Sequence, residues 1–125
     1  MPYGKNLKFT TTTYGPAKNI LASEHFKFVE GGATLAPASG TLAVGTGIAR
    51  VTATGLWVKF VAANVAQYND FGVLNIDVVL DNTNNIVVGE VIVQGALYES
   101  KLDASATDSA FKTAVGNNIR YVKHI

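Results

Sequence analysis

The feature that most constrains the fold is the segment at residues 34–55, TLAPASGTLAVGTGIARVTATG. In this segment, short groups of apolar residues are separated by glycines and other small residues. No apolar face recurs in it at helical spacing, and each glycine would cost a helix interior about 1 kcal/mol. Its β-branched residues and its breaks favour two or three short strands joined by tight turns. Pro37 has no amide hydrogen to donate and belongs at a turn or a sheet edge. The stretch predicts a small, strongly bent β-module without a recognisable arrangement of nucleophile, base or metal ligand.

The length of 125 residues predicts one domain with a substantial core. Hydrophobic residues make up 48% of the chain and charged residues 15%, so we expect some apolar surface to face a partner or further copies of the chain. The net charge of +1 gives no reason to expect nucleic acid or a membrane as a partner. There is no cysteine, which excludes a disulfide framework. No apolar run approaches the roughly 20 residues needed to span a bilayer, so we expect a soluble protein.

The charges are unevenly distributed along the chain. Residues 1–29 carry four lysines against Glu24, whereas residues 60–108 carry seven acids against Lys101. The last segment adds three further basic residues, Lys112, Arg120 and Lys123. The basic segments could pair with the acidic middle of another subunit, and scattered solvated charge explains the pattern equally well.

Residues 1–22 differ from the rest and are predicted to form a flexible N-terminal arm ahead of a β-rich domain at residues 23–125. Within the arm, residues 8–14, KFTTTTY, have high β-propensity and no internal breaker. Such a segment is suited to adding itself as a strand to another protein's sheet. A plain disordered terminus is the alternative. The predicted binding residues are Lys8, Phe9, Thr10, Thr11, Thr12, Thr13, Tyr14, Gly15 and Pro16, with Phe9 and Tyr14 as anchors.

The remaining chain predicts a mainly β fold with one short helix near the C-terminus. Asp103 or Ser105 is expected to cap this helix, Asp108 to favour its positive end, and Gly116 to end it. Trp57, Phe60 and Leu74 are expected in the core. Strands are predicted at residues 25–29, 56–61, 73–80, 86–93 (broken at Gly89) and 119–125, with a turn-like segment at 64–72 and an asparagine-rich loop at 81–85.

Residues for catalysis are scarce, and we expect no enzyme activity, no cofactor and no metal site. The two histidines, His25 and His124, lack ligand spacing with any acid. A carboxylate pair of Glu90 and Glu99 is conceivable, but a polar sheet face explains them better. The glycines match neither a phosphate loop nor a dinucleotide fingerprint. A few lysines among aromatic residues near the start are a weak nucleic-acid signal, and we expect no nucleic acid as a partner.

The order of elements resembles the head decoration proteins of tailed bacteriophages, the lambda decoration protein D family. The likeness covers roughly residues 20–125. An arm leads to an aromatic strand, and a segment similar to VTLASGTLxxGTxL follows, here residues 33–46. A strand similar to ILxxDV comes next, at residues 73–78, and then VIVQGALYESKL at residues 91–102. An alanine-rich helix and an apolar final strand close the chain.

The resemblance implies a β-clip-like fold that assembles as a homotrimer. It implies capsid decoration: the trimer binds the outer surface of the expanded phage head at three-fold sites and stabilises it. The arm then becomes a strand beside strands of the major capsid protein, and the protein is made in the host cytoplasm before it joins the virion. Two alternatives remain open: another β-rich virion module, such as a tail or fibre accessory, and a small enzyme or ligand-binding β-domain.

Overall fold

The computed structural model describes residues 20–23 and 25–123. Strands dominate this part of the chain, and two short α-helices lie near its end. Two 3-10 helices, Ala62–Gln67 and Glu99–Lys101, join neighbouring elements. The strands and α-helices are β1 (Lys27–Phe28), β2 (Ala33–Leu35), β3 (Thr41–Leu42), β4 (Gly47–Val51), β5 (Trp57–Lys59), β6 (Tyr68–Leu74), β7 (Val78–Val79), β8 (Ile86–Val88), β9 (Val91–Tyr98), α1 (Ala104–Thr107), α2 (Ser109–Val115) and β10 (Ile119–Val122).

A long antiparallel ribbon runs through the sheet: β1 and β2 follow one another along one side of it, and β8 and β9 form the other side. β1 pairs with β9 and β2 pairs with β8, so that Lys27 lies opposite Gln94 at one end and Leu35 opposite Ile86 at the other. Gly31 and Gly32 lie between β1 and β2, and both have a positive φ of nearly 80°. A side chain on Gly32 would meet the Val88 carbonyl oxygen at 3.1 Å. The ribbon therefore bends where glycine alone fits both the conformation and the space.

The sheet curls because further strands connect the two ends of this ribbon. Its strand order is β1-β9-β6-β4-β5-β2-β8, and β10 pairs with β9 outside this path. Most pairs are antiparallel, but β2–β5 and β9–β10 are parallel. β3 and β7 form a separate two-stranded sheet. Within the described residues, β8 pairs only with β2, which leaves its other edge without a strand.

Two carboxylates begin the helices near the C-terminus. The Asp103 side chain accepts a hydrogen bond from the Ser105 amide at the start of α1, and the Asp108 side chain does the same from the Ala110 amide at the start of α2. These caps satisfy amides that have no partner inside a helix. α2 ends at Gly116, whose φ is 58°. The predicted helical segment is confirmed, and Asp108 divides it into two helices.

The core has two clusters. An aromatic cluster, with Phe60, Tyr68, Phe71 and Phe111 in mutual ring contact at 5.1–6.1 Å, lies where α2 packs on β6. An aliphatic cluster with Trp57 and Leu74 lies between the ribbon and the β3–β7 sheet. The core positions predicted for Trp57, Phe60 and Leu74 are confirmed, because all three are buried.

The mainly β, single-domain architecture predicted from the sequence is confirmed. Residues 34–55 form three short strands, as expected. Three predicted boundaries are wrong. The strand predicted to end at residue 93 continues through β9 to Tyr98. The turn-like segment at 64–72 contains the start of β6, and the single strand predicted at 73–80 is divided between β6 and β7 by a bend at residues 75–76.

The folded domain also begins earlier in the chain than the predicted boundary at residue 23. Residues 20–22 were assigned to the arm, but Ile20 is fully buried and Leu21 forms a β-bridge with Leu97. The Tyr98 amide donates to the Ile20 carbonyl and the Ala22 amide donates to the Ala96 carbonyl, each at 2.8 Å. Ile20 is a large apolar side chain that fills the aromatic cluster, and burying it there stabilises this attachment.

Candidate interaction surfaces

The predicted arm is attached to β9, the strand next to β1 at one end of the strand order. Residues 20–22 run antiparallel to β9, whose other neighbours are β1, β6 and β10. The predicted binding residues 8–16 lie outside the described residues, as does His124. What the structure adds is the attachment point: residues 20–22 make two backbone hydrogen bonds with β9.

The described residues offer little for catalysis. They contain no group of three or more His, Cys, Asp or Glu side chains that could hold a metal ion. Glu90 and Glu99 each have a different partner: Glu90 accepts from the Asn75 side chain at 3.3 Å, and Glu99 accepts from Lys112 at 2.7 Å. Lys112 lowers the pKa of Glu99 through this hydrogen bond. These partners explain both carboxylates without a catalytic role.

The ion pair of Glu99 and Lys112 belongs to a structural contact between the helices and the last strand. The Lys112 ammonium lies 4.9 Å from the centre of the Tyr121 ring, within the range of a cation–π interaction. The Tyr121 hydroxyl donates to the Ala106 carbonyl at 2.6 Å, and burial raises the pKa of Tyr121. Together these contacts hold α1, α2 and β10 to one another.

The first candidate surface, which we name the apolar end, lies around Ile76, Val79 and Ile86. Val79 is 73% exposed and Ile76 is 41% exposed. With Ile86 they line a groove of about 310 Å³ between β7 and β8. Val87, the next residue along β8, is also 68% exposed. Exposed apolar side chains beside a sheet edge without a strand are typical of a surface that another chain covers.

Two carboxylates, Asp77 and Glu90, line the groove of the apolar end, and Asp81 follows β7 in the chain; each has a partner within the chain. Asp77 accepts from the Val44 amide at 2.8 Å. Asp81 accepts from the Thr83 amide at 2.8 Å and from the Thr83 hydroxyl at 2.9 Å, which lowers its pKa to about 2. The segments that build this end, residues 33–45 and 75–90, contain three acids and no lysine or arginine. The apolar end is therefore rimmed by negative charge in fixed positions.

The second candidate surface, which we name the basic end, lies around Phe26 and Arg120. Phe26 is 40% exposed, and its ring is 5.1 Å from that of Phe28. Together with His25, Lys27 and Arg120 it lines an open groove of about 570 Å³ whose described lining contains no carboxylate. Lys27 lies 3.8 Å from Glu30, but both side chains are largely exposed, so this pair is weak.

A third groove, of about 600 Å³, adjoins the basic end and has mixed charge. Lys27, Glu30, Arg50 and Asp70 all line it, and Arg50 donates to the Asn69 side chain at 3.0 Å. Opposite charges in similar number give this groove no preference for a charged ligand. It therefore defines no site.

Comparison with known proteins identifies no relative: no protein-family model, curated protein or solved structure gives a significant match to the chain. In the part of the chain that the structure describes, no helix has the length and apolar character needed to cross a membrane. Function must therefore be argued from the surfaces themselves and from the order of the sequence elements.

The sequence reasoning missed both surfaces. It treated residues 73–80 as one buried strand, which hid the exposure of Val79. It placed Phe26 and Phe28 on one face, and the contact between their rings agrees with this placement. It gave no sign that this face lies beside Arg120. A usable signal was present: residues 75–90 combine acids with apolar side chains and lack any basic residue.

Proposed function

We propose that this chain is a capsid decoration protein of a tailed bacteriophage, a non-catalytic homotrimer that cements the outer surface of the expanded head. In this proposal the trimer binds at three-fold sites, and each arm adds a strand, residues 8–14, to a sheet of the major capsid protein. The proposal starts from the order of sequence elements that resembles this family. The structural observation that carries it is the attachment of residues 20–22 to β9.

This attachment matters because a cement protein must transmit force. A strand bound to a capsid subunit holds that subunit only if the other end of the strand is fixed to a rigid body. Here the two hydrogen bonds of Ile20 and Ala22, together with the buried Ile20 side chain, connect the arm to β9 of the sheet.

The energetics favour three arms over one. About four ladder hydrogen bonds per arm give roughly 1 kcal/mol net each, and ordering the arm costs a comparable amount. A single arm would therefore bind weakly. Three arms on one body bind at high effective concentration after the first, which raises avidity by roughly 10²–10⁴. Because binding requires the spacing of the expanded lattice, it stabilises that state of the shell.

The direct test removes residues 1–19 and keeps Ile20. We expect this body to unfold at the same denaturant concentration as the full chain but to leave expanded heads undecorated, measured as copies bound per head. Two double variants at Thr11 and Thr12 test the strand. Replacement of the two threonines by valine should keep the β-propensity of the arm and its binding to heads, whereas replacement by glycine should lower the β-propensity and the binding. Full occupancy by the shortened body would refute the role of the arm.

The same experiment separates the alternative of a tail or fibre accessory. Such a protein would leave expanded heads without decoration even as the full chain, and it would bind purified tails. The full chain bound to heads, and absent from tails, is the result expected for a decoration protein.

A further inference from the structure

The two candidate surfaces differ in charge and lie at opposite ends of one ribbon. The basic end precedes and includes β1, where Lys27 lies opposite Gln94. The apolar end includes β8, where Ile86 lies opposite Leu35 at the far end of the same ribbon. The length of the ribbon therefore separates the two surfaces, so one subunit cannot bring its own two ends together.

The chemistry of the two ends is complementary. The apolar end offers Val79, Ile76 and Ile86 beside a groove, with acids at its rim and no basic residue in the segments that build it. The basic end offers the exposed Phe26 ring with Lys27 and Arg120 beside it. An aromatic ring in an apolar groove, surrounded by pairs of opposite charge, is a common arrangement in specific interfaces.

We propose that the apolar end of one copy of this chain binds the basic end of the next copy, with Phe26 in the groove between β7 and β8. This inference rests on the proposed function for the number of copies, three, and goes beyond it by assigning the two surfaces. Because the surfaces differ, the contact is heterologous, and repeating it closes a ring when the rotation between copies is 120°.

Charge also argues against pairing of like ends. Two apolar ends placed face to face would bring the Asp77 and Glu90 carboxylates of both copies together, without a basic residue from these segments between them. Two basic ends placed face to face would bring Lys27 and Arg120 of one copy next to the same two residues of the other copy. Like charges across an interface disfavour association, so head-to-tail contact is the arrangement that brings opposite charges together.

The test uses two full-length variants, each defective at one end. Val79→Lys places a cation in the groove opposite the basic end, and Phe26→Glu places an acid opposite the acidic rim. Each variant alone is expected to raise the dissociation constant of self-association at least about tenfold, measured by sedimentation equilibrium. Val61→Lys is the matched control: Val61 is an exposed valine at neither end, and this variant should assemble as the unmodified chain does.

Mixing the two variants distinguishes a heterologous contact from a like-to-like contact. Each variant keeps one intact end, and the two intact ends complement each other, so an equimolar mixture should form a 1:1 dimer that neither variant forms alone. Circular dichroism and thermal unfolding check that both variants are folded; a variant that is unfolded is replaced by Val79→Ser or Phe26→Ser.

Three results would overturn the proposal: a monomeric unmodified chain at high concentration, unchanged assembly of the Phe26 variant, or a mixture without the 1:1 dimer. Failure here is distinguishable from failure of the proposed function. A trimer that forms through other surfaces and still decorates heads rejects only the assigned ends. A trimer that forms through these ends but leaves heads bare rejects only capsid decoration.

Discussion

The two halves of the core are covered in different ways. The aromatic cluster lies under α2, and Phe111, at its centre, is fully buried. The aliphatic cluster lies under β7 and β8, whose outward-facing Val79 and Val87 are largely exposed to solvent. One half of the molecule thus completes its own burial, whereas the other ends in a layer of apolar side chains with no cover among the described residues. This contrast separates a region that stabilises the subunit from one suited to binding another copy.

The electrostatics follow the same division. On the helical side, Glu99 and Lys112 pair with each other at 2.7 Å and so hold α2 to the end of β9. On the opposite side, Asp77 and Asp81 accept hydrogen bonds from backbone amides of the same chain, and no basic residue occurs in segments 33–45 and 75–90. The helical side balances its charge internally, while the apolar end keeps a negative rim.

The largest expected effect comes from Phe111→Ala, which opens a cavity under the helices. Its ring contacts Phe60 and Phe71 at 5.1 and 6.1 Å, and loss of such a buried ring costs about 3–5 kcal/mol of unfolding free energy. Val79→Ala is the control at the exposed end, where a change within about 0.5 kcal/mol is expected. Denaturant titration at a concentration low enough to keep the protein monomeric measures both; equal losses would contradict the contrast.

An intermediate effect is expected where the helices approach the sheet most closely. A Cβ on Gly47 would lie 2.9 Å from the Ala106 Cα and 3.0 Å from its nitrogen, so Gly47→Ala forces α1 away from β4. Such overpacking costs about 1–3 kcal/mol. Gly89→Ala provides the control, because a Cβ there meets no described atom within 4 Å. Thermal unfolding compares the two, and an unaffected Gly47 variant would show that this contact is looser than described.

The smallest effect concerns Asp81 in the loop between β7 and β8. Hydrogen bonds from Thr83, and then from Asn84, lower its pKa from 3.8 to about 2. Since the pKa is lowered in the folded state, the carboxylate stabilises the loop above the ordinary pKa, and this contribution is lost as the pH falls from 3.8 toward 2. The amide chemical shifts of Thr83 and Asn84 should change with pH with a midpoint at this low pKa, and in Asp81→Asn they should no longer change over this pH range. A midpoint at the ordinary value would contradict the hydrogen-bonded loop.

Much of the fold was predictable from the sequence because local chemistry determines it. The glycine breaks in residues 34–55 predicted two or three short strands, and three are present. Asp103 was one of two predicted caps of a single helix and does cap α1, whereas Asp108 begins a second helix that was not predicted. The error at residues 73–80 has a long-range cause. The Asp77 carboxylate binds the Val44 amide, a residue 33 positions away, and the chain bends just before it. A run of apolar residues gives no sign of such a bond.

The surfaces were harder to predict for a related reason. The pairing of β1 with β9, and of β10 with β9, brings Phe26 and Arg120 to the same groove although they are far apart in sequence. The error at residues 20–22 is of the same kind, because only the tertiary partner Leu97 shows that Leu21 belongs to the sheet. Charge segregation was visible in the sequence, but the direction in which each segment faces depends on register.

The most direct measurement is hydrogen exchange of the full chain, free in solution and bound to expanded heads. If the arm adds a strand to the capsid sheet, amides of residues 8–14 gain protection on the heads, while those of α2 exchange equally in both states. Equal exchange of residues 8–14 in the free and bound protein would contradict the proposed function.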